Sequence, residues 1–510
     1  MTRLLKAVSS VVCTATIALA GCSGGHLMPS APSNGQTHSV DAFGHSYAQT
    51  GVSVLAQQPP VAMQLAFLMT DGSVMAQSQS ANTWYKYVPD STGNYSNGTW
   101  TQVATLPSGY APTAFASAVM ADGRLLITGG EYNVGGQFDL QLTNKGAIYD
   151  PKKNTWTAIG HPKGWQWIGD SPSSVLPDGR LFVGQKLNEQ GAVFDEKSMS
   201  WTIVGTAGKS DFNAEEGFTL LPNGKILAAD VKNAPNSEIY DPVAGKWSSA
   251  GSTIVDLHSP SPFHQCLTYG PKPQDCYLPP GEIGPQMLRP DGTVFVTGSG
   301  SNGGGGVGHT AIYDTHTGKW KVGPDFPNGD NAGDSFSVLL PSGNVLVFGV
   351  SGTLYEFDGS KFTQTGFASG VPLLLPTGQV MMIGNTVQLY TPAGNPQSSW
   401  LPTIASVPTK LSRGSSYMVT GTQFNGLSQA EAFGDEFQTQ TNYPLVRITN
   451  KASGHVFYAR THDHSTMGVA TGSMPVSTHF DVPANMQTGA ATLQVVANGI
   501  ASKPVAVTVQ

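Results

Sequence analysis

One pattern recurs seven times between residues 60 and 403, and it restricts the fold more than any other feature of the chain. An apolar run reaches a turn of Pro/Ala-Asp/Asn-Gly type and a second apolar run leaves it. The turns are Asp71-Gly72, Asp122-Gly123, Asp178-Gly179, Asn223-Gly224 and Asp291-Gly292, with weaker forms at Ser342-Gly343 and Thr377-Gly378. Glycine after Asp or Asn supplies the positive φ of short hairpin turns, so two-residue hairpins are expected. An aromatic corner follows each turn (Tyr87, Tyr149, Phe194, Tyr240, Tyr313, Phe357, Tyr390). A large aromatic then opens a last strand (Trp100, Trp156, Trp201, Trp247, Trp320, Phe362, Trp400). The order never changes, which predicts seven four-stranded units. Such units cannot bury their faces alone, so they are expected to stack around an axis as an all-β, seven-bladed β-propeller, with the aromatics packed between blades. Composition agrees: 12% charged residues, 61 Gly and 35 Pro suit short strands and tight turns. A net charge of −7 without any Lys/Arg run argues against nucleic acid as a partner.

Blade Ala118–Trp156, with VMADGRLLITGG followed by AIYDPKKNTW and the pair Gly129-Gly130, resembles a kelch repeat; LLPNGKILAAD and LRPDGTVFVTGSG keep part of the pattern. The kelch resemblance runs over residues 60–403.

The N-terminus reads as a targeting device. Arg3 and Lys6 precede the apolar run Ala7–Ala20, which is too short to span a bilayer. It ends in Leu19-Ala20-Gly21-Cys22, which resembles the lipobox of bacterial lipoproteins. Residues 1–21 are therefore expected to be a signal peptide, Cys22 the lipid attachment site and 22–59 a flexible tether rich in Ser, Gly, His and Pro. Ser23 after the cysteine implies the outer membrane. Of the remaining cysteines, Cys266 and Cys276 are expected to close a disulfide loop in an exported chain.

After Trp400, residues 404–510 alternate apolar and polar in short runs such as Thr492–Val496 and Val505–Val509, as an antiparallel immunoglobulin-like β-sandwich requires. A propeller followed by such a domain, with the ending Ala497-Asn498-Gly499-Ile500, resembles the galactose oxidase and glyoxal oxidase family. That resemblance implies one copper held by two tyrosines and two histidines, three of these ligands lying eight or nine residues before the turn of their blades. Counting eight back here reaches Met63, Ala114, Asp170, Glu215, Ile283, Asp334 and Ser369; nine back adds Glu282 and Gly333. None is Tyr or His, and Gln438–Tyr443, aligned with the segment bearing the family's last histidine, has none either. Copper-radical chemistry is therefore not expected. Instead Asp170, Glu215 and Asp334 share one repeat position, with Glu216 and Glu282 one residue away. Carboxylates so placed at the top of the channel would raise one another's pKa or require a hard cation, Ca²⁺ or Mg²⁺; the alternatives are strand-end hydrogen bonds or open water, and acid–base work on a sugar.

Other candidates are weaker. His462 and His464 could share a face on a strand but have no evident third ligand, and a turn is equally natural there. His258 and His264 could decorate an inserted rim loop, and the Gly-rich 299–308 lacks the strand–Gly–helix context of a phosphate loop. The expected function is a monomeric, membrane-anchored binding protein for a glycan or protein partner; the alternative is a galactose oxidase-like enzyme, with copper in an unrecognised site or a carboxylate-held cation.

Overall fold

A computed structural model describes residues 50–510 apart from 134–141, 260–264, 267–275, 278–281, 301–306 and 433–436; before residue 50 it describes only 39–40, 43 and 46–47. The signal peptide, Cys22 and His264 lie outside the described residues, as does most of the tether.

Seven antiparallel blades succeed one another along the described chain: residues 63–102, 116–159, 173–204, 219–252, 286–322, 337–367 and 371–391. Each Asp-Gly hairpin is built in the same way. Met69 N–H donates to Ser73 O (2.7 Å) and Gly72 N–H to Met69 O (2.9 Å), and the other six turns repeat both bonds. The loop is thus three residues long, a type I turn followed by a left-handed glycine, rather than the expected two-residue form. All seven glycines have φ between 73° and 90°. The residue before the glycine is Asp, Asn or Ser in six turns because its side-chain oxygen accepts the amide two residues on: Ser73 N to Asp71 Oδ1 (3.1 Å), Arg124 N to Asp122 Oδ1 (2.9 Å), Lys225 N to Asn223 Oδ1 (3.1 Å).

The aromatic pairs explain the rest of the repeat. Corner and last-strand aromatics sit directly opposite across the outer ladder: Tyr87 and Trp100, Tyr149 and Trp156, Phe194 and Trp201, Tyr240 and Trp247, Tyr313 and Trp320, Phe357 and Phe362. Their ring centroids lie 4.6–5.5 Å apart. Several indoles also tie blades together, as Trp156 donates to Ala104 O (3.1 Å) and Trp201 to Gly160 O (2.7 Å).

Blade seven breaks the rule. Its fourth strand is not opened by Trp400, which lies in the 3-10 turn Ser398–Trp400. The outer partner of Gln388–Thr391 is Gly51–Val54, with Val52 opposite Tyr390. The chain's first propeller strand therefore completes its last blade and closes the ring by hydrogen bonds between segments more than three hundred residues apart, and the propeller starts inside the stretch read as tether.

The C-terminal unit is all-β, but not two separate sheets. One continuous path runs through Thr403–Ser406, Ser416–Thr422, Val476–Asp481, Val456–His462, Leu445–Asn450, Gly489–Ala497, Val505–Val509 and Lys410–Leu411. Val456–His462 pairs with Leu445–Asn450 through its first half and with Val476–Asp481 through its second, so the sheet bends into a half-barrel around Val419, Phe424, Ile448, Phe480 and Leu493.

Candidate functional site

The two ends of the propeller differ. The Asp-Gly turns face the C-terminal unit: a Cβ on Gly72 would meet the Tyr458 ring at 2.4 Å, and Thr466 Oγ1 donates to Pro177 O (3.0 Å). From that unit a segment enters the ring and touches the first strand of every blade. Gln429 accepts Leu220 N–H (2.8 Å) and donates to Ser174 (3.1 Å), and Ser428 reaches Met287 Sδ (3.5 Å). Glu431–Ala432 adds a fifth strand to blade six, opposite Ser337 and Val338. On the way back Phe437 bridges Phe115, Ser117 Oγ donates to Gln438 O (2.9 Å), Thr439 Oγ1 donates to Pro372 O (3.4 Å) and Tyr443 OH donates to Leu68 O. The segment Gln438–Tyr443 thus lies inside the ring, and it is deeply buried. First strands are therefore innermost, and their beginnings surround the end of the channel away from the C-terminal unit.

That end carries the expected carboxylates. The repeat position eight before the turn has left-handed backbone in three blades, at Ala114 (φ 52°), Glu215 (φ 62°) and Asp334 (φ 52°). Non-glycine residues held there store strain, of order 1–3 kcal/mol each. Asp170 and Glu215 meet at a lysine that sequence reasoning missed, and Asp334 lies within its electrostatic reach. Lys186, 3% exposed, pairs with Asp170, with Glu215 Oε1 at 3.3 Å and with Glu131 Oε1 at 3.4 Å. Counting back from the turns could not find Lys186 or Glu131, because both follow second strands; counting forward seven residues from Gly179 and eight from Gly123 reaches them. Gly129 makes the approach possible: a Cβ there would fall 2.3 Å from Gly169 O, the residue before Asp170.

Charge is unbalanced here, with several carboxylates around one ammonium. Glu215 is pushed above the ordinary carboxylate range, first by burial, with Lys186 opposing and Glu131 adding; a hydrogen bond with the Glu282 carboxyl holds it down. Asp334 is pushed up to about 7, by loss of water and then by Glu215 and Glu131 against Lys186. Its exposed edge at the channel mouth lets solvent temper that rise. Carboxyls holding protons near neutrality can donate as well as accept hydrogen bonds, and can pass protons.

Glu216 does not belong to this group. The left-handed turn at Glu215 sends the next side chain into blade four, where both Glu216 oxygens meet Lys209 Nζ (2.9 and 3.1 Å) and Glu238 meets it at 2.8 Å. Lys209 is fully buried, with its ammonium 4.6 Å from the centroid of the Trp247 ring. Burial pulls its pKa down, yet Glu216 and Glu238 hold it above the ordinary lysine value.

The histidine pair is divided among structural roles. His462 contacts Asp463 (2.7 Å) and Asp481 (3.1 Å), while buried His464 bonds Thr478 (2.8 Å) and stacks on Tyr443. His258 pairs with Asp256 at 2.5 Å. In the insertion, the ladder Gln265–Cys266 with Cys276–Tyr277 sets the backbones of Cys266 and Cys276 directly opposite. Residues 301–306 of the Gly-rich loop lie outside the described residues.

No protein-family model matches the sequence, and no curated protein matches it. Among solved structures it is similar to a fungal alcohol oxidase of the AA5 family in complex with copper, at 15% identity over 91% of this chain and 100% of that one, TM-score 0.49. A catalytically inactive virginiamycin B lyase from Staphylococcus aureus with quinupristin is similar at 10% identity over 68% and 100%, TM-score 0.46. A streptogramin B lyase is similar at 12% identity over 66% and 96%, TM-score 0.43. Nothing about the site follows from likenesses this distant.

Proposed function

We propose that this protein is an extracytoplasmic, lipid-anchored binding protein that takes a glycan or protein partner at the channel mouth, without copper-radical chemistry. One observation carries the reading. At the repeat position where the resembled oxidases place copper ligands, Asp170 and Glu215 pair with Lys186 and Asp334 lies within its electrostatic reach. A fixed ammonium supplies the positive charge that Ca²⁺ or Mg²⁺ would otherwise bring to those three residues. The surplus carboxyls, with Glu131 and Glu282, suit hydroxyl-rich or cationic groups. Cys22 holds the chain to the outer membrane, Cys266 and Cys276 are disulfide-bonded, the C-terminal half-barrel is a modified immunoglobulin-like unit, and the protein acts as a monomer. The backbone register opposing the two cysteines supports the bond.

The test is a glycan array followed by calorimetry on the mature lipidated protein in detergent. Asp170→Asn and Glu215→Gln are expected to weaken binding of the best ligand at least tenfold. Stoichiometric copper together with oxidase turnover on galactose or glyoxal overturns the reading.

A second reading rests on the protonation of Asp334 near neutrality beside Glu215, an arrangement able to serve as acid and base on a sugar. It requires hydrolysis products from the ligand that the array identifies, lost in Asp334→Asn.

A further inference from the structure

A second acidic group lies within blade four, and the binding reading makes no use of it. Asp211, Glu216 and Asp230 are buried, at 1%, 0% and 2% exposure, with one carboxylate oxygen from each within 4.8 Å of the others. Two of the three are accounted for by protein partners. Asp211 accepts the amides of Phe212 (2.8 Å), Lys232 (2.9 Å) and Asn233 (3.2 Å), and Glu216 is bound by Lys209. Asp230 is different: both its oxygens are buried and neither meets a hydrogen-bond donor from the protein. A carboxylate sealed from water with no donor is costly, and the two ordinary remedies are a proton or a metal ion.

The composition of the group favours the metal. Asp211, Glu216, Asp230 and Glu238 bring four carboxyls to a region with one buried ammonium, Lys209. The three converging groups are all hard oxygen donors, without sulfur or imidazole, which selects Ca²⁺ or Mg²⁺ over transition metals. The burial of all three carboxylates disfavours Mg²⁺, an ion that keeps its waters.

We propose that Asp211, Glu216 and Asp230 bind one Ca²⁺ ion inside blade four, and that this ion fixes the loop carrying Glu215 to the channel mouth. The connection is covalent and short. Glu215 and Glu216 are adjacent, and the left-handed residue between the two clusters sends one side chain to Lys186 and the next to the ion. Asn213, in the same loop, donates to the carbonyls of Asn188 (2.7 Å) and Gln190 (2.8 Å), so the loop is also moored to blade three, from which Lys186 comes. The cation expected from the repeat thus belongs one residue further along, to Glu216 rather than Glu215.

The test uses the mature protein after chelation. Tb³⁺ is added and excited through tryptophan, since Trp247 lies beside the group, and Ca²⁺ is then titrated against it. One Tb³⁺ per chain, displaced by micromolar to millimolar Ca²⁺, is expected. Asp230→Asn, nearly isosteric, should weaken that site at least tenfold, while Asp334→Asn at the mouth leaves the stoichiometry unchanged. Melting of the wild type should rise with Ca²⁺ and that of Asp230→Asn should not. The proposal is overturned if the wild type shows no Ca²⁺-displaceable Tb³⁺ and Asp230→Asn melts higher whether or not Ca²⁺ is present, because Asp230 is then a protonated acid. It is also overturned if Asp334→Asn, not Asp230→Asn, removes the ion.

Discussion

The clusters around Lys186 and Lys209 are built from the same materials and separated by one peptide bond, yet they differ in access to water. Around Lys186, Asp170 is only 3% exposed, but Glu131 and Glu215 keep side-chain exposures of 15% and 17%, and Asp334 is open at the mouth. Around Lys209, Glu216 is sealed and Glu238 is 3% exposed. A group that water can reach adjusts to the loss of a partner by rehydrating, whereas a sealed one cannot. The first arrangement is therefore suited to exchanging partners and the second to holding a shape.

The largest expected effect tests that contrast directly. Lys209→Met strands Glu216 and Glu238 and is expected to cost about 3–5 kcal/mol of unfolding free energy in denaturant titration. Lys186→Met also strands sealed Asp170 but leaves Glu131 and Glu215 able to rehydrate, so it should cost less than Lys209→Met; equal losses would break the distinction.

Gly129→Ala comes next. Its φ of 82° and the 2.3 Å approach of the new Cβ to Gly169 O predict a loss of about 1–3 kcal/mol. Ligand binding at the mouth should fall with it, because Glu131 and Asp170 are displaced. A stable variant with unchanged binding would show that the blade two–three contact does not position the site.

Swapping the neighbours sharpens the comparison further. Glu216→Gln should lower stability by about 1–3 kcal/mol, through a buried ion pair reduced to one partner. Glu215→Gln should change it by less than about 1 kcal/mol while removing most ligand affinity. The opposite assignment of effects would reverse the two roles.

The smallest effect is a pH dependence. Asp334 is pushed toward about 7 in the folded chain, less what its exposure to solvent takes back, and releases its proton near the ordinary carboxylate value when unfolded. The folded state binds the extra proton between those limits, so this residue's contribution is full in acid and is lost as pH rises from about 4 through 7. Asp334→Asn should flatten that part of the melting profile by about 1–3 °C, a small change because the side chain is exposed. His464 acts in the other direction. Burial pulls it down to about 3, so its contribution is lost as pH falls below the ordinary histidine value near 6.5. His464→Gln should shrink the loss of stability in acid, and an unchanged loss would show that it arises elsewhere.

Much of the fold was legible because its signals are local and repeated. The turn glycines, their Asp and Asn partners and the cross-strand aromatics each act within one hairpin, and six blades follow the pattern to the residue. The turn length was misread by one, since two- and three-residue loops both demand a left-handed glycine. Blade seven was misread because Trp400 stands where the pattern expects it, while Val52, its replacement opposite Tyr390, carries no aromatic signal. In the site, Asp170, Glu215 and Asp334 were found by counting back from the turns. Lys186 and Glu131 stayed hidden because they arrive from second strands, where spacing varies between blades. Glu216 was grouped with Glu215 because adjacency in sequence cannot reveal a left-handed φ at a non-glycine residue.

What the amino-acid order determined by itself is the blade: where a strand turns, which aromatics face each other and which repeat position starts an innermost strand, all of them short-range consequences of backbone sterics and alternation. Only the tertiary structure decided how the ring closes, which segment fills its centre and which carboxyl meets which lysine. Those contacts join residues tens to hundreds of positions apart, and their partners are chosen by the geometry of seven packed sheets, which no local pattern encodes.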